Sequence, residues 1–98
     1  MGMIELRQTV QYAKWFDSLR DRQARARIDV RLRRLTLGNP GDVKSVGHGV
    51  SELRIDYGPG YRVYFTRRGE LLVVLLAGGD KRTQESDIKL AIELAQNL

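Results

Sequence analysis

Six side chains in the second half of the chain are of the kinds that grip an anion and react with it. They are Arg54, Arg62, Lys81 and Arg82, with Glu52 and Tyr64 among them. A guanidinium is permanently charged, and its forked donors match phosphate or carboxylate oxygens two at a time. A lysine is a compact cation, while a carboxylate and a phenol can exchange protons. These groups are useful together only if the fold makes them converge. In Ser51–Tyr57, Leu53, Ile55 and Tyr57 alternate with Glu52, Arg54 and Asp56. In Tyr61–Arg68, Tyr61, Val63 and Phe65 alternate with Arg62, Tyr64, Thr66 and Arg68. This spacing predicts two strands joined by a turn at Gly58-Pro59-Gly60. A three-residue turn pairs Tyr57 with Tyr61, Asp56 with Arg62, Ile55 with Val63, Arg54 with Tyr64 and Leu53 with Phe65. The apolar members then share one face, and Glu52, Arg54, Asp56, Arg62, Tyr64 and Thr66 form an open polar patch on the other. Asp56 opposite Arg62 makes a cross-strand ion pair. Lys81 and Arg82 fall at the rim of the patch. Four cations exceed what Glu52 and Asp56 neutralise, and clustered like charge costs stability unless an anion is expected.

The rest of the composition narrows the chemistry. The 98 residues carry 17 basic and 12 acidic side chains, a net charge of +5. This favours an anionic partner such as RNA, DNA or an acidic protein segment. The excess is densest from Arg20 to Arg34, where Arg25, Arg31 and Arg34 belong to a run of seven arginines offset only by Asp21 and Asp29. The absence of cysteine excludes a disulfide scaffold and a thiolate metal site. A single histidine, His48, argues against a histidine metal site or a hydrolase triad, and in Gly47-His48-Gly49 it reads as an exposed loop residue. No metal or cofactor is expected. No apolar run approaches the roughly 18 to 20 residues needed to cross a bilayer, and no signal peptide is visible. The expectation is a cytoplasmic protein with no membrane contact. Residues 3–98 read as one domain, with Met1-Gly2 an addition ahead of the native start.

The elements that must position the site follow from periodicity and punctuation. Residues 3–7 are compatible with a strand. Thr9 caps a helix with Tyr12, Trp15, Phe16 and Leu19 on one stripe. Asp21 caps a second, with Ala24, Ile28, Leu32 and Leu35 buried and the arginines on the remaining arc. Gly38-Asn39-Pro40-Gly41 ends it. Leu71–Ala77 is apolar on both faces, as befits a strand covered on both sides. Gly78-Gly79 breaks that strand, and Thr83 caps a last helix with Ile88, Ala91, Ile92 and Ala95 inward. The fold class is α+β: an antiparallel sheet with an N-terminal helical hairpin and a C-terminal helix, in the order β-α-α-β-β-β-α.

Taken together, Glu52-Leu53-Arg54-Ile55, Gly58-Pro59-Gly60-Tyr61-Arg62-Val63-Tyr64-Phe65 and Gly78-Gly79-Asp80-Lys81-Arg82-Thr83-Gln84 resemble the addiction-module killer proteins of the RelE/ParE superfamily of type II toxins, on the HigB-like side. Asp87-Ile88-Lys89, Trp15-Phe16 and Gly38-Asn39-Pro40-Gly41-Asp42 extend the likeness over essentially Met3 to Leu98. The resemblance implies a RelE-like fold and a cognate helix-turn-helix antitoxin. On the RelE/HigB side it implies cleavage of mRNA in the ribosomal A site, by attack of a ribose 2′-hydroxyl on the adjacent phosphate. On the ParE side it implies inhibition of DNA gyrase without nuclease activity. A third reading is an inactive relative kept as a co-repressor.

Cleavage of that kind needs a base, an acid and a cation for the extra negative charge of the phosphorane. The residue types then suggest Arg62 as phosphate clamp and Arg82, or else Arg54, on a neighbouring phosphate. Lys81 becomes the proton-transfer group or transition-state cation, Glu52 a candidate base, and Tyr64 a proton donor or a platform for a nucleotide base. Lys44, Arg54, Arg25, Arg31 and Arg34 are the candidates for contact with RNA and the ribosome, neutralising phosphates without reading sequence.

Overall fold

The computed structural model of the protein describes residues 4–98, so the expectations for Met1, Gly2 and Met3 lie outside the described residues. The elements are β1 (Glu5–Gln8), α1 (Val10–Ser18), α2 (Arg22–Thr36), β2 (Val43–Gly47), β3 (Val50–Ile55), β4 (Tyr61–Arg68), β5 (Leu72–Gly79), a 3₁₀ turn (Lys81–Thr83) and α3 (Gln84–Gln96). The expected α+β architecture is present, with one strand more than the periodicity indicated. β2 is that strand, and with β3 it brackets a tight turn whose exposed His48 has a φ of 55° between Gly47 and Gly49.

The helix starts are as their capping residues predict. Thr9 Oγ1 accepts from the backbone N–H of Tyr12 at 3.0 Å. Asp21 Oδ1 accepts from Gln23 and Ala24 at 2.9 and 3.2 Å. Each satisfies N–H groups that a first turn leaves without partners. Thr83 departs from expectation and makes no side-chain cap. Its hydroxyl donates instead to Asp87 Oδ2 at 2.6 Å, and Asp80 caps the preceding 3₁₀ turn through Arg82 N at 2.8 Å.

The five strands lie in the order β1-β5-β4-β3-β2. All neighbours are antiparallel except β1 and β5, which run parallel. The sheet sits between two apolar clusters. On one face α1 and α2 bury Tyr12, Ile28, Leu32 and Leu35 against Leu53, Ile55, Val63, Phe65, Val73 and Leu75. On the other, α3 buries Ala91 and Ala95 against Val50, Tyr64, Val74, Leu76 and Ala77. β5 supplies residues to both clusters, which is why its sequence is apolar without alternation.

The hairpin register differs from the expected one by two residues. Ile55 pairs with Tyr61, Arg54 with Arg62, Leu53 with Val63 and Glu52 with Tyr64. The connection is residues 56–60 rather than 58–60, because Tyr57 leaves the strand to reach α2. Its hydroxyl donates to Asp21 Oδ2 at 2.8 Å, and Arg27 lies 4.7 Å over its ring. A shift of two preserves which face each side chain occupies, so the apolar face is as expected. It removes the Asp56–Arg62 ion pair, since Asp56 is in the connection.

Candidate active site

The polar face of the hairpin is built in rows. Val50, Thr66 and Val74 are neighbours across β3, β4 and β5; Glu52, Tyr64 and Ala77 form the next row; Arg54, Arg62 and Gly79 form the last. α3 lies over the first two rows. Glu52 and Tyr64 have no solvent exposure, so the expected open patch is largely covered. At the Arg54–Arg62–Gly79 end Arg54 is half-buried while Arg62 and Gly79 are still buried, and there the chain turns into the 3₁₀ segment that carries the exposed Lys81.

Arg54 and Arg62 face each other, an unfavourable pairing of like charges that needs a compensating anion. Glu52 provides it from within. Its Oε1 lies 3.1 Å from Arg54 Nε and 3.8 Å from Arg62 Nε. Its Oε2 accepts from Tyr64 Oη at 3.2 Å and Gln84 Nε2 at 2.6 Å. Burial pushes the Glu52 carboxyl up, but hydrogen bonds from Gln84, Arg54 and Tyr64, with the charge of Arg62, outweigh it and hold it below the usual carboxylate range. Burial and the nearby Glu52 carboxylate push the Tyr64 phenol upward. Arg62 is 8% exposed, and its Nε has no hydrogen-bond partner among the described residues. The sequence offered no sign of Gln84 in this network, because its partner is 32 residues away.

Arg54, Arg62 and Lys81 line one recess of about 410 Å³ together with Asp42, Asp56 and the Gly58-Pro59-Gly60 turn. Lys81 is exposed and has no ion-pair partner among the described residues. Its stem lies across Gly60, where a Cβ would stand 3.2 Å from Lys81 Cγ. Gly60 also has a φ of +81°, so the turn needs glycine on both counts. The glycines before Lys81 act by close approach. A Cβ on Gly78 would stand 2.1 Å from the Trp15 ring, and one on Gly79 would stand 1.8 Å from Asp87 Oδ2. A glycine pair inside a strand is the signal for such contacts. Burial pushes the Asp87 carboxyl up, with the Thr83 hydroxyl working against it.

The remaining candidates are dispersed. Arg82 is exposed and turned to Asp80, with Nη2 2.9 Å from Oδ2, and it borders a separate depression with Thr83, Glu85, Ser86 and Lys89. Arg31 is committed to the fold: it donates to the carbonyls of Arg54, Pro40 and Asp42, fastening the loop before β2. Arg25 lies 5.1 Å over the Phe16 ring and is half-buried. Arg34 and Lys44 are exposed, on α2 and β2. No described helix is long and apolar enough to cross a membrane.

Comparison with known proteins agrees with this geometry. The chain is 50% identical over 95 residues to an uncharacterized protein of Haemophilus influenzae, a match spanning 97% of this chain and 96% of the relative. Its fold is similar to that of the Escherichia coli toxin RelE, solved in the free state as a mutant with two arginines replaced by alanine. The TM-score is 0.77 at 16% identity, covering 95% of this chain and 97% of RelE. Residues 14–98 match the family described as phage derived protein Gp49-like (DUF891). With that match over most of its length, the chain belongs to the family described as phage derived protein Gp49-like, and the sheet beneath its cationic recess has the RelE fold.

Proposed function

We propose that this protein is a toxin, a ribosome-dependent mRNA endoribonuclease that works without a metal ion or other cofactor, held in check by a cognate helix-turn-helix antitoxin. The observation that carries the reading is the recess where Arg54, Arg62 and the exposed Lys81 meet. In the reaction, the ribose 2′-oxygen bonds to the adjacent phosphorus and the bond to the 5′-oxygen breaks. One proton leaves the 2′-hydroxyl and another reaches the departing oxygen. Arg62 grips the phosphate with its terminal nitrogens, and Arg54 steadies the phosphate beside it. Lys81 faces the phosphorane, where a fixed cation counts most because negative charge has grown. Glu52 acts as a positioning residue, since its carboxylate is enclosed and already serves four partners. Tyr64 holds Glu52 rather than a nucleotide base, and Arg82 guides RNA from the rim. Arg34, Arg25 and Lys44 lie where they can meet ribosomal RNA, and the ribosome supplies part of the alignment that the sparse site lacks.

The test is to induce the chain alone and follow protein synthesis, transcript integrity and DNA supercoiling together. The proposal predicts arrested translation with cut transcripts. Intact transcripts beside gyrase–DNA cleavage complexes would overturn it in favour of the gyrase-inhibiting side of the superfamily.

A further inference from the structure

Next to the recess, an open groove of about 540 Å³ runs along α2 to the end of β3. Its floor is Ala26, Val30 and Ile55, and Val30 stands 49% exposed there. Arg27, Arg31 and Arg34 line it with Gln23, and Asp56 is the one acid among its lining residues. On α2, Gln23, Arg27, Val30 and Arg34 follow at steps of three or four residues, so they form one stripe beside the buried one. None of the three arginines forms an ion pair among the described residues. Arg31 spends its donors on backbone carbonyls and keeps its charge.

Two features set this groove apart from a solvated helix face. The first is Arg27. Its guanidinium carbon lies 4.7 Å over the Tyr57 ring, and the Tyr57 hydroxyl, 2.8 Å from Asp21 Oδ2 and 3.3 Å from Gln23 Oε1, is itself held. The guanidinium is thus fixed on one side, while the residue is exposed and lines the groove. A long side chain held in this way loses little further freedom when a flat ligand stacks on it. The second is continuity. Ile55 and Asp56 line both the groove and the recess of Arg54, Arg62 and Lys81. A chain molecule gripped in the recess meets the groove as it passes Asp56.

We infer that this groove is a second nucleotide subsite, which takes the base of a single-stranded RNA nucleotide near the one held in the recess. The base stacks on Arg27 over the apolar floor, because a guanidinium plane and an apolar surface both suit the face of a nucleobase. The arginine charges attract the strand's phosphates without reading sequence. Asp56 repels phosphate at the divide and accepts from an amino group or ribose hydroxyl of the passing strand. A base inside a duplex has its faces covered by its neighbours and cannot stack there. The carboxylates of an acidic peptide would satisfy the arginine charges but leave the floor and the plane of Arg27 without a flat ring. The inference rests on the reading of the recess as an RNA site and extends it to a longer stretch of strand.

The experiment titrates the full chain, at low ionic strength, with a single-stranded RNA hexanucleotide methylated at every 2′-oxygen, which removes the attacking hydroxyl and prevents cutting. Its comparator is the same strand made abasic outside the central pair, with every phosphate kept. The intact strand should bind about tenfold or more tighter. Arg27→Ala should largely remove that preference. Arg27→Lys, which keeps the charge but not the plane, should restore little of it. Arg62→Ala should weaken both strands and leave the preference in place. Equal binding of the two strands, an undiminished preference in Arg27→Lys, or no binding of either strand would each overturn the proposal. A hexaglutamate peptide that competes as well as the intact strand would overturn it in favour of an acidic protein segment. Transcript cutting is measured apart. An Arg27-dependent preference in a chain that cuts no transcript would overturn the nuclease reading alone, and cut transcripts without that preference would overturn the subsite alone.

Discussion

Arg54 and Arg62 stand directly opposite each other on β3 and β4, and the carboxylate of Glu52 lies within 3.1 and 3.8 Å of their Nε atoms. The two guanidinium groups therefore owe their shared orientation to an acid beneath them. Removing one partner of a buried ion pair leaves an uncompensated charge. Glu52→Ala should cost about 3–5 kcal/mol in chemical denaturation. Glu52→Gln, which keeps an acceptor for Tyr64 or Arg54, should cost less. A Glu52→Ala protein as stable as the parent would mean that water replaces the carboxylate and that the network does not hold the arginines.

The same network sets a pH dependence. The folded Glu52 carboxyl is depressed below its unfolded value of about 4.3, so its contribution to stability is complete above that value and lost as pH falls through the folded one. Asp21, hydrogen-bonded by Tyr57, and Asp80, hydrogen-bonded by Arg82, are depressed too and act with the same sign. Asp87, raised by burial, acts oppositely, and its penalty is relieved on acidification. Urea midpoints measured from neutral pH down to about pH 2 should fall in the acid range, and fall less steeply for Glu52→Gln. Parallel curves for the two proteins would contradict the assignment.

Gly78→Ala should destabilise the protein by about 1–3 kcal/mol, because its methyl group would enter the Trp15 ring. Trp15→Leu should absorb most of that added cost, giving a double mutant far from additive. Thermal denaturation of the four proteins closes the cycle. Additive losses would show that the two residues do not compete for the same space.

Gly60→Ala combines an unfavourable positive φ with crowding of the Lys81 stem. The backbone term should cost about 1–2 kcal/mol of stability. Its effect on transcript cutting, measured at a temperature where the variant remains folded, should be larger than that loss explains, since it displaces the ammonium group. Full activity in a folded Gly60→Ala protein would separate Lys81 from the turn.

The parts of this structure legible in the sequence are those that depend on neighbours along the chain. The caps at Thr9 and Asp21, the stripe of Ala24, Ile28, Leu32 and Leu35, and the two-faced burial of β5 all follow from local spacing. β2 was not legible, because Val43–Gly47 mixes exposed polar residues with two half-buried valines and lacks a clean alternation. The hairpin register moved because Tyr57 found a better partner in Asp21, 36 residues earlier. Glu52 and Tyr64 read as exposed because periodicity ranks each side chain by its own polarity. Their burial becomes affordable only through mutual hydrogen bonding and Gln84 of α3. Arg62 and Lys81 did fall together as the strand pattern indicated, while Arg82 was drawn aside by Asp80 and Arg31 by the loop before β2.

The most direct measurement is primer-extension mapping of mRNA on purified, programmed ribosomes treated with the parent chain, Lys81→Ala and Arg62→Ala, each verified as folded by circular dichroism. A cut at the A-site codon with the parent, reduced by about a hundredfold or more in both variants, is the predicted result. Full-length message with the parent, or undiminished cutting by either variant, would contradict a recess built to hold and cleave RNA.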